Sequence, residues 1–366
     1  MVWCRKRVHV DEPFVTLKLL EHYDTVFYDS LKPQRSKKAM GMLVNGVWQD
    51  VGYDTKNGEF VRNESVFRDR VTADGSSGFR AEAGRYHLYV SLACPWAHRT
   101  LIMRAIKRLE DVISVSIVDP WMGPDGWRFA DRHGCTRDTV NGAGFLRDIY
   151  LKAKPDCTGR VTVPVLWDRT RATIVNNESA EIVRMLNREF DAFALHDLPD
   201  MYPESLGPQI DRWNDLIYRT VNNGVYRAGF AATQDKYEKA VRELFATLDT
   251  LEEHLGKHRY LCGAELTEAD WRLFTTLVRF DAVYHGHFKC NLRRLVDYGN
   301  LWDYTRELYQ VPGVAGTVDL EQIKEHYYRS HTRINPGGII PLGPTLDYAL
   351  PHGREILGKR DDHERE

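Results

Sequence analysis

In "YVSLACPWAHRTLI" (residues 89–102) an apolar run stops at Cys94, a proline follows, and a helical pattern takes over. A cysteine at the first turn of a helix faces unpaired backbone N–H groups and the positive end of the helix dipole, which favours thiolate over thiol. Pro95 suits a first-turn position because no N–H is needed there, and Arg99 lies one turn on, where it would add positive potential. Most free cysteines are small buried hydrophobes; a place after a strand and before a proline-started helix favours a nucleophile instead. Three residues on, where a dithiol reductase carries its second cysteine, stands Ala97. The partner thiol must come from elsewhere, and the natural source is a small thiol such as glutathione.

The elements that would position Cys94 follow from periodicity. "RYHLYVSL" reads as a buried strand, "CPWAHRTLIMRAIKRL" as a helix and "VISVSIV" as a second strand. After an irregular Gly- and Trp-rich stretch over 119–149 come "TVPVLWD" and "ATIVNN", two strands joined by a turn, and the helix "ESAEIVRMLNREF". The order β-α-β, insertion, β-β-α predicts a thioredoxin-like α/β domain over residues 84–196. Beyond the breaker-rich "HDLPDMYPESLG" the pattern is helical, as in "KYEKAVRELFATLDTLEEHL", which predicts an all-α domain over 205–330. Residues 40–83 read as a loop-rich extension, 1–39 as an appendage with a short helix over 14–31, and 331–366 as a breaker-rich tail packed on the surface.

In a thioredoxin-like domain the proline before the strand facing the cysteine is commonly cis, so Val163-Pro164 would bring backbone beside the thiol to pair with an extended peptide; the alternative is a plain X-Pro strand start. In "NNES", Glu178 and Ser179 open a helix, where N–H groups suit a carboxylate and the Glu178 side chain an α-ammonium; by itself this is a helix cap. Together these suit a small peptide thiol such as glutathione.

Composition narrows the partners. The 366 residues carry 50 Lys plus Arg against 52 Asp plus Glu, with no long single-sign block to suit a phosphate backbone or an anionic membrane, so neither nucleic acid nor membrane is an expected partner. No stretch approaches the roughly 18 apolar residues of a membrane span, and the first ten residues lack a signal-peptide core. Six scattered cysteines with no C-x-x-C spacing favour a reducing compartment, so the protein is expected to be cytoplasmic. "HGHFKC" offers His285, His287 and Cys290, but the spacing is irregular and a fourth ligand is not evident, so no metal is expected. In "LTEADW", Thr267 and Asp270 have the form of a helix N-cap pair, a folding signal.

"CPWAHRT", "DGWRF", "RVTVPVLWD", "NNESAEI", "NNGVYRAGFA", "LTEADWRLF", "RFDAVYHGHFKCN" and "INPGGIIPLGP", in that order, resemble the glutathionyl-hydroquinone reductases, the xi class of the glutathione transferases. The resemblance covers about residues 40–355. It implies the glutathione transferase fold, a homodimer, and glutathione-dependent reduction of S-glutathionyl-hydroquinones. It further implies that Cys94 is the nucleophile, that Trp127 covers bound glutathione, and that Val163, Glu178 and Ser179, with Arg160 as a carboxylate contact, hold it. Tyr226 and Tyr327, with Tyr284 as a third member, are implied to face the aromatic substrate, where a phenol can hydrogen-bond a hydroquinone oxygen and donate a proton. A general glutathione thioltransferase or dehydroascorbate reductase would use the same cysteine with another acceptor pocket, and a non-catalytic binding protein on the same fold is the rival of a different class.

Overall fold

The computed structural model describes residues 41–51, 55–194 and 198–358. The appendage expected over 1–39 and the last residues of the tail lie outside them.

The extension is more ordered than its loop-like composition suggests. β1 (Met42–Val44) and β2 (Val47–Gln49) form one hairpin, and β3 (Thr55–Lys56) and β4 (Glu59–Phe60) a second. Each turns on an Asn-Gly pair with both residues at positive φ, 48° and 77° at Asn45-Gly46 and 53° and 79° at Asn57-Gly58. Asn-Gly is the sequence that tight hairpins favour, because asparagine and glycine both tolerate the left-handed region.

The α/β core follows the expected order. β5 (Tyr86–Val90) leads into α1 (Pro95–Ile106) and then β6 (Ser114–Ile117), which pairs parallel with β5. The stretch read as an irregular insertion ends in α2 (Leu146–Ala153), a helix that the sequence did not announce. It is short, and Phe145 rather than a small polar residue is its N-cap, with the Asp148 carboxylate accepting the Phe145 N–H at 2.9 Å. β7 (Gly159–Arg160) pairs with β1 and ties the extension to this domain. β8 (Val165–Asp168) and β9 (Thr173–Asn176) complete a four-stranded sheet of order β6-β5-β8-β9, with β8 antiparallel to both its neighbours. α3 (Ser179–Arg188) packs on α1. Every residue of β5 and β8 is buried, which is why they read as continuous apolar runs rather than alternating ones.

The second half is helical. α4 (Gly207–Ile217) continues through a π-helical segment, Tyr218–Asn222, into α5 (Gly224–Gly229). α6 (Gln234–Leu255) buries Val241, Leu244, Phe245, Leu248, Leu251 and Leu255, one face at helical spacing. α7 (Glu268–Leu277) is followed by a second π-helical segment, Phe280–Tyr284, then α8 (Gly299–Gln310) and α9 (Leu320–Ser330). The domains are riveted at polar points: Arg184 donates to the buried carboxylate of Glu268 at 2.9 Å, and Arg99 to Asn222 at 2.8 Å. The tail stays irregular until α10 (Glu355–Gly358). Tyr348 donates to the Val278 carbonyl at 3.0 Å, and buried Arg354 meets buried Glu307 at 3.1 Å. Among the described residues no helix is long and apolar enough to cross a membrane.

The Thr267–Asp270 pair forms as the sequence indicated. Asp270 accepts the Thr267 N–H at 2.8 Å and the Thr267 hydroxyl at 3.0 Å, and its other oxygen takes the Leu261 N–H at 2.9 Å and the Tyr304 hydroxyl at 2.7 Å. Four donors converge on one buried carboxylate. Replacing it strands them all, so Asp270→Ala is expected to destabilise the protein by about 3 kcal/mol, read as a lower urea midpoint.

Candidate active site

Cys94 is the N-cap of α1 (φ −80°, ψ 121°), and its carbonyl accepts the His98 N–H at 3.0 Å. Its thiol donates to the Val163 carbonyl at 3.7 Å, and Val163-Pro164 is cis, as expected. Val163 lies ahead of β8, outside the strand ladder.

Burial is the largest influence on this thiol and pushes it above its ordinary value. The N–H groups of Ala97 and Trp96 and the cations Arg279 and Arg62 pull the other way without overcoming it. The sequence expectation of a lowered thiol weighed the helix end and omitted this desolvation, which outweighs it. The expected helper is also a different residue. Arg99 donates to Asn222, and its guanidinium sits 4.5 Å from the centre of the Trp96 ring.

Cys94 opens on a cavity of about 320 Å³ that takes its walls from the extension and both domains. Trp127, Arg160, Val163, Glu178, Ser179, Tyr226 and Tyr327, all singled out from the sequence, line it. Glu178 is the N-cap of α3; its carboxylate accepts the Ala180 N–H at 3.2 Å and the Ser65 hydroxyl at 3.0 Å. Arg160 donates to the Val51 carbonyl at 2.8 Å, fixing the extension against the cavity. Trp127 stacks on His326, with ring centres 4.8 Å apart and planes 21° apart. The His326 Nδ1–H donates to the Pro120 carbonyl at 2.8 Å, and burial lowers this imidazole to about 4, so it is neutral at physiological pH.

The tyrosines form a hydroxyl chain. Tyr226 and Tyr327 meet at 2.6 Å, and Tyr284 reaches Tyr327 at 2.9 Å. Burial raises all three above the ordinary phenol value, Tyr284 to about 12. They are protonated donors at neutral pH. Tyr284 differs from the expectation in one respect: it is fully buried and off the cavity wall, so it bears on a ligand through its bonds to the Tyr327 and Tyr226 hydroxyls.

Several wall residues were not anticipated. Trp48, Phe60, Arg62 and Ser65 come from the extension, Trp96 and Tyr218 from α1 and the first π-helical segment, and His331 from just beyond α9. Arg62 lies 4.4 Å from the Trp96 ring centre and 5.3 Å from that of Tyr226. The Asn-Gly turns signalled that the extension folds; nothing in its composition signalled where it lies. In "HGHFKC", His287 bonds His331 at 3.1 Å, and Cys290 lies buried. Among the described residues no three His, Cys, Asp or Glu side chains are grouped to hold a metal ion.

Residues 93–189 match the family described as glutathione S-transferase, N-terminal domain, and residues 234–307 that described as glutathione S-transferase, C-terminal domain. Fold and matches together define a glutathione transferase. Glutathionyl-hydroquinone reductase YqjG of Escherichia coli (strain K12) is 56% identical over 326 residues, 87% of this chain and 99% of its own length. Glutathionyl-hydroquinone reductase PcpF of Sphingobium chlorophenolicum is 55% identical, over 83% of this chain and 96% of its own. A xi-class glutathione transferase structure from Natrialba magadii superimposes with a TM-score of 0.82 at 51% identity, covering 87% of this chain and 97% of that one. The chain belongs to the glutathionyl-hydroquinone reductase family, the xi class of glutathione transferases.

With its thiol raised, Cys94 is expected, with no glutathione added, to react with iodoacetamide about tenfold faster for each pH unit between about 7 and 8.5, without a plateau. Peptide mass spectrometry of timed samples reads this directly, and a plateau near neutrality would show that the thiolate is already formed.

Proposed function

We propose that this protein reduces S-glutathionyl-hydroquinones to free hydroquinones with glutathione as the reductant. The observation that carries it is a single thiol sharing one cavity with two hydroxyl-paired tyrosines, in a chain of the glutathionyl-hydroquinone reductase family. Among the described residues that line the cavity, Cys94 is the one thiol.

Cys94 thiolate attacks the glutathionyl sulfur, forming an S–S bond as the bond from sulfur to the aromatic ring breaks. The electron pair goes to the ring carbon, which takes a proton from the Tyr226–Tyr327 pair, and the hydroquinone leaves. The thiolate of a second glutathione then attacks the glutathionyl sulfur of the mixed disulfide, releasing oxidised glutathione and restoring Cys94. The Val163 backbone pairs with the peptide of the bound glutathione, Glu178 and the α3 N-terminus at Ser179 take its γ-glutamyl end, Arg160 a carboxylate, and Trp127 covers it. The proton shed by the second glutathione as it becomes thiolate restores the tyrosine pair, with Tyr284 hydrogen-bonded behind Tyr327. The protein works as a cytoplasmic homodimer in the same proposal. A resolving cysteine beside Cys94 would compete with the incoming glutathione; the corresponding position holds Ala97.

The test is turnover of glutathionyl-menadiol with glutathione, following menadiol and oxidised glutathione together. Cys94→Ala is expected to abolish release, and Tyr327→Phe to slow it about 100-fold while the glutathionylated Cys94 still forms from a simple glutathione disulfide. Because the tyrosines stay protonated well into alkaline pH, kcat/KM should rise with pH through the thiol and show no tyrosine-dependent fall below about pH 10. Activity on the simple disulfide alone would move the protein to the thioltransferase class, and silence on both substrates to a binding role.

A further inference from the structure

A buried cation with no carboxylate partner among the described residues stands directly behind the cysteine turn. Arg279, between α7 and the second π-helical segment, is 0% exposed. Its Nε donates to the Ala93 carbonyl at 3.0 Å, its Nη2 to Leu92 at 2.9 Å, and its Nη1 to Thr275 at 2.8 Å and to His98 Nδ1 at 2.9 Å. All four partners are uncharged. The guanidinium only donates, so His98 Nδ1 must accept. Its Nε2–H then donates to the Thr317 hydroxyl at 2.8 Å, which in turn donates to the Val314 carbonyl at 2.6 Å. His98 is thereby held as a neutral imidazole. Arg354, by contrast, meets the buried carboxylate of Glu307.

A buried charge with no counter-charge is costly. Here two of the carbonyls that solvate it belong to the residues immediately before Cys94. We propose that Arg279 is the positioning residue of this site: it clamps the turn that presents Cys94 and supplies the uncompensated positive charge that stabilises the attacking thiolate and the phenolate left when Tyr327 gives up its proton. The same charge favours the ionised forms of Cys94, Tyr284 and Tyr327 alike. The other groups that act on Cys94 are the Arg62 guanidinium and the α1 N–H groups, with the Tyr226 and Tyr284 phenols neutral until they ionise. The inference rests on Cys94 being the nucleophile of the reaction proposed above.

Alkylation of Cys94 by iodoacetamide across about pH 6 to 11, in the full-length protein, requires no hydroquinone and so separates failure here from failure of the reductase assignment. Arg279→Gln is expected to alkylate about tenfold more slowly than wild type near pH 7.5 and to reach the wild-type rate at the alkaline end. A merely structural role would not produce that pH-dependent recovery. His98→Glu keeps the arginine and its bonds to Leu92 and Ala93 while setting a carboxylate beside it, and is expected to slow alkylation in the same way; His98→Gln, a neutral acceptor, should retain the wild-type profile. Should Arg279→Gln not fold, His98→Glu decides. A wild-type pH profile in folded Arg279→Gln, or in His98→Glu, overturns the proposal.

Discussion

The arrangement of this protein turns on one junction, where β5 ends and α1 begins. The carbonyls of Leu92 and Ala93 are gripped from the helical domain by Arg279, while Cys94 contacts the Val163 carbonyl within its own domain. The junction is therefore a point of contact between domains as well as the place where the thiol is presented. The helical domain does more than cover the cavity: it helps fix the backbone from which Cys94 projects.

The cavity sets two demands against each other. Burial keeps the tyrosines protonated, which the proposed proton donation requires. The same burial disfavours the thiolate that the proposed reaction needs. Backbone N–H groups and cations offset part of that penalty at Cys94, and they do so locally, at the start of one helix. Both π-helical segments bear on this geometry. The first contributes Tyr218 and leads into α5, which carries Tyr226, and the second ends on Tyr284. Wide turns of this kind recur at functional sites because they re-aim side chains that a regular helix would point elsewhere.

The two-domain order, the cysteine at a helix start and the cis Val163-Pro164 bond were legible because each has a local signature: strand and helix periodicity, a first-turn proline, and an X-Pro pair before a strand. The helix at Leu146–Ala153 was not, since eight residues after a Gly-rich stretch give little periodicity. The hairpins of the extension had a signal in their two Asn-Gly pairs, but their role as cavity wall depends on partners outside the extension, such as the Trp96 and Tyr226 rings beside Arg62.

Short runs of residues carry the local motifs: the thiol, the helix start that faces it, the Glu178–Ser179 cap and Ala97 where a second cysteine would stand. Those are properties of a few consecutive residues. The balance of forces on the thiol, the place of Tyr284 behind Tyr327 and the presence of Arg279 rather than Arg99 behind the cysteine turn came with folding. The physical reason is that desolvation, and the distance between charges far apart in the chain, exist only once the chain has folded around them.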